Sequence, residues 1–248
     1  MDPLERTWTV DGQQREALLY LPAQTMSAPT VFVFHGHGGT MRHAARTMAL
    51  QALWPEAVVV YMQGLPTVTP LVDPEGRFPG WQMRPGEGGD RDLHFFDSVL
   101  TTLERDYHVD PKRVFASGHS NGGVFTYLLL SARPNAIAAF APCAAIAPPG
   151  TLRFDHPKPI LHVAGQQDVL VRFEWQQRTM EVVRRSNGSD STGRPWGESG
   201  GVIATLYPSQ TGAPFITAIH PGGHQFPDGA ADLMVRFFKE QSALAPAQ

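Results

Sequence analysis

Nearly continuous apolar runs of strand length recur along this chain at residues 30–34 (TVFVF), 57–62 (AVVVYM), 113–116, 136–141, 159–163 and 215–219. A strand with one face in water alternates apolar and polar positions. Runs without that alternation predict strands buried on both faces, as in a parallel sheet. Two shorter runs at 7–10 and 16–21 flank the turn dipeptide Asp11-Gly12 and predict an antiparallel hairpin at the sheet edge. Elsewhere the period changes. Leu93, Phe96, Val99, Leu100 and Leu103 fall at helical spacing, with Asp90 and Asp92 placed to cap the helix N-terminus. Further helices are predicted over 43–53, 121–132, 173–185 and 231–240.

Strands alternating with helices predict an α/β fold with a mostly parallel central sheet, an antiparallel N-terminal hairpin and helices on both faces. The 248 residues suit one domain spanning 1–248. Two irregular stretches, 63–89 and 186–200, are rich in Gly, Pro and Ser and long enough to wall a substrate pocket. Composition then narrows the partners. Charged residues make up 17% of the chain, against the roughly 25% usual in soluble domains, and the net charge is −3. Both signs are interspersed, which argues against a nucleic-acid stripe and a polybasic membrane patch. No run approaches the roughly 18 apolar residues of a membrane span. The expected partner is therefore a small-molecule or oligomeric substrate, with no nucleic acid and no membrane; the pattern assigns no oligomeric state. The opening MDPLERTWTV lacks the apolar centre of a signal peptide. The expected compartment is the cytoplasm, or the periplasm or exterior if a leader has been removed. The single cysteine, Cys143, forms no internal disulfide and reads as a small core residue.

The chemistry concentrates at the middle of the chain. Val114-Phe115-Ala116 leads into Gly118-His119-Ser120-Asn121-Gly122, after which residues 124–130 continue as a helix. A serine in G-x-S-x-G between strand and helix sits on a turn so tight that only glycine fits two residues to either side. The turn holds the hydroxyl up at the carboxyl edge of the sheet, and the helix N-terminus brings backbone N–H groups near any oxyanion formed there. A serine hydroxyl needs a base, and the base an orienting acid. Asp168 follows the strand run 159–163 and its terminal Gly165, and His224 follows the run 215–219, in the order Ser, Asp, His. Asp155, Asp190 and Asp228 compete as the acid without directly following a parallel-type strand, and His220 stands four residues from His224. His162, inside a strand run, reads as a satisfied core histidine.

His35-Gly36-His37-Gly38-Gly39 follows the first buried strand run, where its glycines let Gly36 and His37 turn a backbone N–H toward the serine. The other oxyanion donor is expected from Asn121. His35 and His37 also form an H-x-H pair that an extended strand would aim to one side, but no Cys or acidic cluster completes a metal shell. No metal and no cofactor is expected.

These segments together resemble the α/β-hydrolase fold, and within it the esterase group of feruloyl esterases and polyhydroxybutyrate depolymerases of the LpqC type. The resemblance covers nearly the whole chain. It is carried by HGHGG at 35–39, Gly80-Trp81, GGDRDLHFFDSVLTTL at 88–103, VDPKRVFASGHSNGG at 109–123 and PGGHQFP at 221–227. It implies a serine carboxylic-ester hydrolase with Ser120 as nucleophile, Asp168 as acid and His224 as base. It also makes Trp81 a candidate pocket residue, with ordinary core packing equally open. Gly38, His119 and Phe226 are further candidate substrate contacts, and Met83 a pocket candidate by position. Some feruloyl esterases bridge cysteines beside the catalytic Ser and His, where this chain has Asn121 and Gln225. Polymer depolymerases of the group usually carry a linker and a polymer-binding domain, which these residues do not contain. The expected substrate is thus a feruloyl or other small aromatic or short-chain ester. Polyhydroxybutyrate, hydroxybutyrate oligomers and acetylxylan stand as alternatives, with a peptidase, an amidase or a silent binding protein behind them.

Overall fold

Asp11 and Gly12 both take positive φ, 51° and 75°, as a two-residue hairpin turn of the primed type requires. That turn joins β1 (Leu4–Val10) to β2 (Gln13–Tyr20), antiparallel with Val10 opposite Gln13. The computed structural model describes residues 2–70, 72–148, 150 and 156–244. The remaining strands are β3 (Thr30–Phe34), β4 (Val58–Met62), β5 (Leu65–Pro66), β6 (Pro79–Gly80), β7 (Val114–His119), β8 (Ala139–Cys143), β9 (Ile160–Gly165), β10 (Arg194–Ser199), β11 (Val202–Tyr207) and β12 (Phe215–His220). All but β5 and β6 form one sheet in the order β1-β2-β4-β3-β7-β8-β9-β12-β11-β10. The six strands from β4 to β12 in that order run parallel, and the pairs at both edges run antiparallel.

The helices are α1 (Met41–Thr47), α2 (Leu50–Leu53), α3 (Arg91–Tyr107), α4 (Asn121–Ala132), α5 (Phe173–Ser186) and α6 (Ala230–Leu244). Side chains alternate across a strand, so β3 feeds two separate apolar layers. Phe32 and Phe34 pack with Phe96 of α3 and Phe125 of α4, and Met180 and Val183 of α5 join the same layer. Val31 and Val33 pack with Ala44 of α1, Leu50 of α2 and Phe237 of α6. Helices therefore cover both faces, and every buried run of the sequence has become a strand.

Four expectations are corrected. The helix expected over 43–53 is two helices, broken where Ala49 takes φ 46° and the Tyr61 hydroxyl receives the Leu50 N–H at 3.0 Å. The strand expected at 136–141 begins at Ala139 and extends to Cys143. The stretch 186–200 contributes nothing to the cleft at Ser120: its second half is the edge strand β10, at the sheet end farthest from the hairpin. Asp90 and Asp92 do not cap α3. Asp90 accepts from the Gly86 N–H and the Gln82 amide, while Asp92 is buried against Arg15 at 2.7 Å. The cap is Gln82, whose Oε1 accepts the N–H groups of Asp92 and Leu93 at 3.1 and 3.4 Å.

Candidate active site

Ser120, Asp168, His224 and His37 each lie just beyond the carboxyl end of a parallel strand: β7, β9, β12 and β3 respectively. That edge is where open α/β sheets place their ligands. Ser120 has φ 56° and ψ −122°, a conformation foreign to ordinary L-residues. The turn is held because its N–H donates to the Cys143 carbonyl and its carbonyl accepts from the Val124 N–H, both at 2.9 Å. The glycines are steric necessities. A Cβ on Gly118 would stand 2.3 Å from the Gly122 carbonyl oxygen, and one on Gly122 would stand 2.3 Å from the Phe34 carbonyl oxygen.

Ser120 Oγ lies 2.7 Å from His224 Nε2, and His224 Nδ1 lies 2.8 Å from Asp168 Oδ2. Asp168 is almost wholly buried, and its Oδ1 accepts the N–H groups of Leu170 and Val171, both at 2.9 Å. The competing residues stand elsewhere. Asp190 bonds through its N–H to the Pro208 carbonyl, Asp228 packs against Gly200, and Asp155 lies outside the described residues. The His220 Nδ1 accepts from the Gly222 N–H instead of approaching the serine.

Asn121 begins α4, so helix geometry leaves its backbone N–H without an intrahelical acceptor. Its side chain pairs with both polar groups of the Trp81 backbone: Oδ1 accepts the Trp81 N–H at 2.7 Å and Nδ2 donates to the Trp81 carbonyl at 3.0 Å. The two histidines of the H-x-H pair serve different partners. His35 donates from Nδ1 to the Gly36 carbonyl and accepts the Gly64 N–H at Nε2, at 2.8 and 2.9 Å. Burial pushes its pKa down to about 4. His37 bridges Asp73 at 3.1 Å and Thr69 at 3.0 Å, which fixes the loop that carries it.

Ser120, Asn121, His37 and His224 share a cleft of about 530 Å³. Its walls include Val72, Val124, Ile146, Val169, Leu170 and Trp175, with Met83, Arg84 and Arg172 among the other lining residues. Residues 63–89 therefore contribute a wall as expected, while the opposite wall comes from 146–148 and 169–175. All four expected substrate contacts, Trp81, Gly38, His119 and Phe226, fall outside this cleft. Trp81 is fully buried, stacks on Phe125 and donates its indole N–H to the His35 carbonyl at 2.9 Å, so it packs beneath the site. His119 and Phe226 line a separate cavity of about 260 Å³ beside α1, together with Gly36. Burial, followed by the neighbouring His224, lowers the His119 pKa to about 4. Gly38 is also outside the cleft lining, and its N–H is spent on the Pro79 carbonyl at 2.7 Å.

His162 is a satisfied core histidine, as its strand position implied, but its partners matter. Its Nδ1 lies 2.6 Å from the Tyr127 hydroxyl and its Nε2 lies 3.2 Å from Gln176 Oε1. Gln176 Nε2 in turn donates to Asp168 Oδ2 at 3.1 Å. Gln176 and Tyr127 belong to no motif of the sequence. The available signal was a glutamine on the apolar stripe of an amphipathic helix.

No family model matches the chain. A feruloyl esterase C from Emericella nidulans is 27% identical over 202 residues, covering 81% of this chain and 70% of that protein. A bifunctional acetylxylan esterase/xylanase from Neocallimastix patriciarum is 37% identical over 86 residues, which is 35% of this chain and 13% of that much longer protein. Among solved structures, an acetyl xylan esterase from Aspergillus awamori superposes with a TM-score of 0.70 at 16% identity, covering 95% of this chain and 99% of that one. The sheet order, the strand-turn-helix at Ser120 and the superposition define an α/β-hydrolase fold. The likeness to esterases in sequence and in fold supports a carboxylic ester hydrolase, and the relatives it is similar to include feruloyl and acetylxylan esterases.

Proposed function

We propose that this protein hydrolyses esters through an acyl-enzyme on Ser120. His224 Nε2 takes the hydroxyl proton as Oγ attacks the ester carbonyl. Asp168, bonded at Nδ1, holds the tautomer in which Nε2 is the free base and favours the imidazolium that forms. The oxyanion is held by the Asn121 N–H and by an N–H of the Gly36-His37 segment. His224 then gives its proton to the departing alcohol, and water, deprotonated by the same imidazole, releases the acid. The observation that carries this reading is the unbroken contact line from Asp168 Oδ2 through His224 to Ser120 Oγ, at 2.8 and 2.7 Å.

For the substrate, we read a feruloyl or other small aromatic or short-chain ester. The apolar cleft, with Trp175 in its wall, supports it, as does the likeness to feruloyl esterases. One observation favours a second reading. Arg84 and Arg172 both line the cleft, and among the described residues neither has a carboxylate partner. Such a cleft also suits an ester with its own carboxylate, as in a hydroxybutyrate oligomer. A hydrolysis panel of methyl ferulate and its matched amide, acetylated xylan, hydroxybutyrate oligomers and p-nitrophenyl esters of increasing acyl length tests both. The first reading expects kcat/KM highest on methyl ferulate or a short aryl ester. Preference for the oligomers would establish the second, and preference for a matched amide over its ester would overturn both.

A further inference from the structure

We infer that Tyr127, His162 and Gln176 form a one-way chain of hydrogen-bond donors ending on Asp168, and that Gln176 is a positioning residue for the His224–Asp168 pair. The inference rests on the triad reading of Ser120, His224 and Asp168.

Each donor in the chain follows from the acceptor it faces. Gln176 Nε2 faces two oxygens, Asp168 Oδ2 at 3.1 Å and the Val171 carbonyl at 2.7 Å, so both amide hydrogens are spent. Its Oε1 is therefore the atom facing His162 Nε2, 3.2 Å away, and only a protonated Nε2 satisfies an amide oxygen. A neutral imidazole protonated at Nε2 has its lone pair on Nδ1, which accepts from the Tyr127 hydroxyl at 2.6 Å. Burial supports the neutral form, holding His162 down at about 4. Every bond in the series donates toward the carboxylate, and bonds aligned in this way polarise one another.

Asp168 then receives four donors: the Leu170 and Val171 N–H groups on Oδ1, and Gln176 and His224 on Oδ2. Four is the acceptor capacity of a carboxylate, so its orientation is over-determined. Gln176, His162 and Tyr127 are all buried, so water cannot replace a missing member at little cost. The other titratable groups facing the pair are His119, whose ring centre is 5.2 Å from that of His224, with His220 and Cys143 near Asp168. Burial lowers the first two and raises the cysteine, which favours the uncharged form of each.

Removing the Gln176 donor leaves a more basic Asp168, which holds the His224 imidazolium more tightly. The test is steady-state kinetics against pH for the full chain carrying Gln176→Leu or Tyr127→Phe, beside Ser120→Ala. Gln176→Leu is expected to lower kcat about tenfold with KM within about twofold, and to move the acid limb of kcat/KM up by about half a pH unit. Tyr127→Phe keeps the ring in the core, and its limb is expected to move the same way with a two- to threefold loss of kcat, on the order of one weakened bond. A wild-type kcat and acid limb in both variants overturns the chain. If Gln176→Leu fails to fold, an unmoved limb in Tyr127→Phe overturns it alone. Turnover that survives in Ser120→Ala would instead remove the triad reading beneath.

Discussion

Ser120 stores backbone strain, and the residues around it exist to hold that strain. A φ of 56° with ψ −122° costs on the order of 1–3 kcal/mol and persists only where the surroundings leave no alternative. Gly122 is the sharpest of those constraints. A Cβ there would meet the Phe34 and His35 carbonyl oxygens at 2.3 and 2.5 Å, both rigid backbone, whereas a Cβ on Gly12 would meet nothing within 4 Å. Gly122→Ala must push α4 away from β3, or β3 away from the elbow. We expect a loss of roughly 1–3 kcal/mol in the urea unfolding free energy, in the range of overpacked core substitutions. Activity should fall further than stability, because the same shift moves the Asn121 N–H away from the Gly36-His37 segment. A Gly122→Ala protein that unfolds at the wild-type urea concentration would contradict this account of the turn.

At the scale of elements, what could be read from the sequence was whatever burial writes into a pattern. β3, β4, β7 and β9 lie within the sheet with both faces covered, so their runs stand out, and the β7–Ser120–α4 unit carries its own steric signature. The convergence of Ser120, Asp168 and His224 was legible because they follow the strand runs that became β7, β9 and β12. The edge was not legible. β10 is half exposed, contains Pro195 and Gly197 and shifts register between them, so its composition reads as loop. The break at Ala49 depends on the hydroxyl of Tyr61 in β4, a partner that local periodicity does not see. Trp81 followed a motif in sequence, yet its neighbours Phe34 and Phe125 place it under the site. The Asp92 pairing with Arg15 joins residues 77 positions apart, which no capping rule anticipates. The far cleft wall and the donors behind Asp168 come together only through tertiary packing, with α5 supplying both Trp175 and Gln176.

At the scale of the whole molecule, two apolar layers sandwich one sheet and bury several imidazoles as neutral groups. His35, His119 and His162 are each held near 4 by burial, against about 6.5 in an unfolded chain. Between those values the unfolded state binds protons that the folded state refuses, so folding stability falls as pH drops from about 6.5 to about 4 and is flat just above that window. The urea midpoint is therefore expected to be clearly lower at pH 5 than at pH 7, and equal midpoints would contradict the burial of neutral histidines. The central claim is that the sheet's carboxyl edge makes Ser120 a nucleophile. A fluorophosphonate reports on that claim most directly, because it bonds covalently to an activated serine and the adduct can be located by peptide mass. The account predicts one adduct per chain, on the peptide bearing Ser120, and none in Ser120→Ala. An adduct on another residue, or labelling that persists in Ser120→Ala, would contradict it.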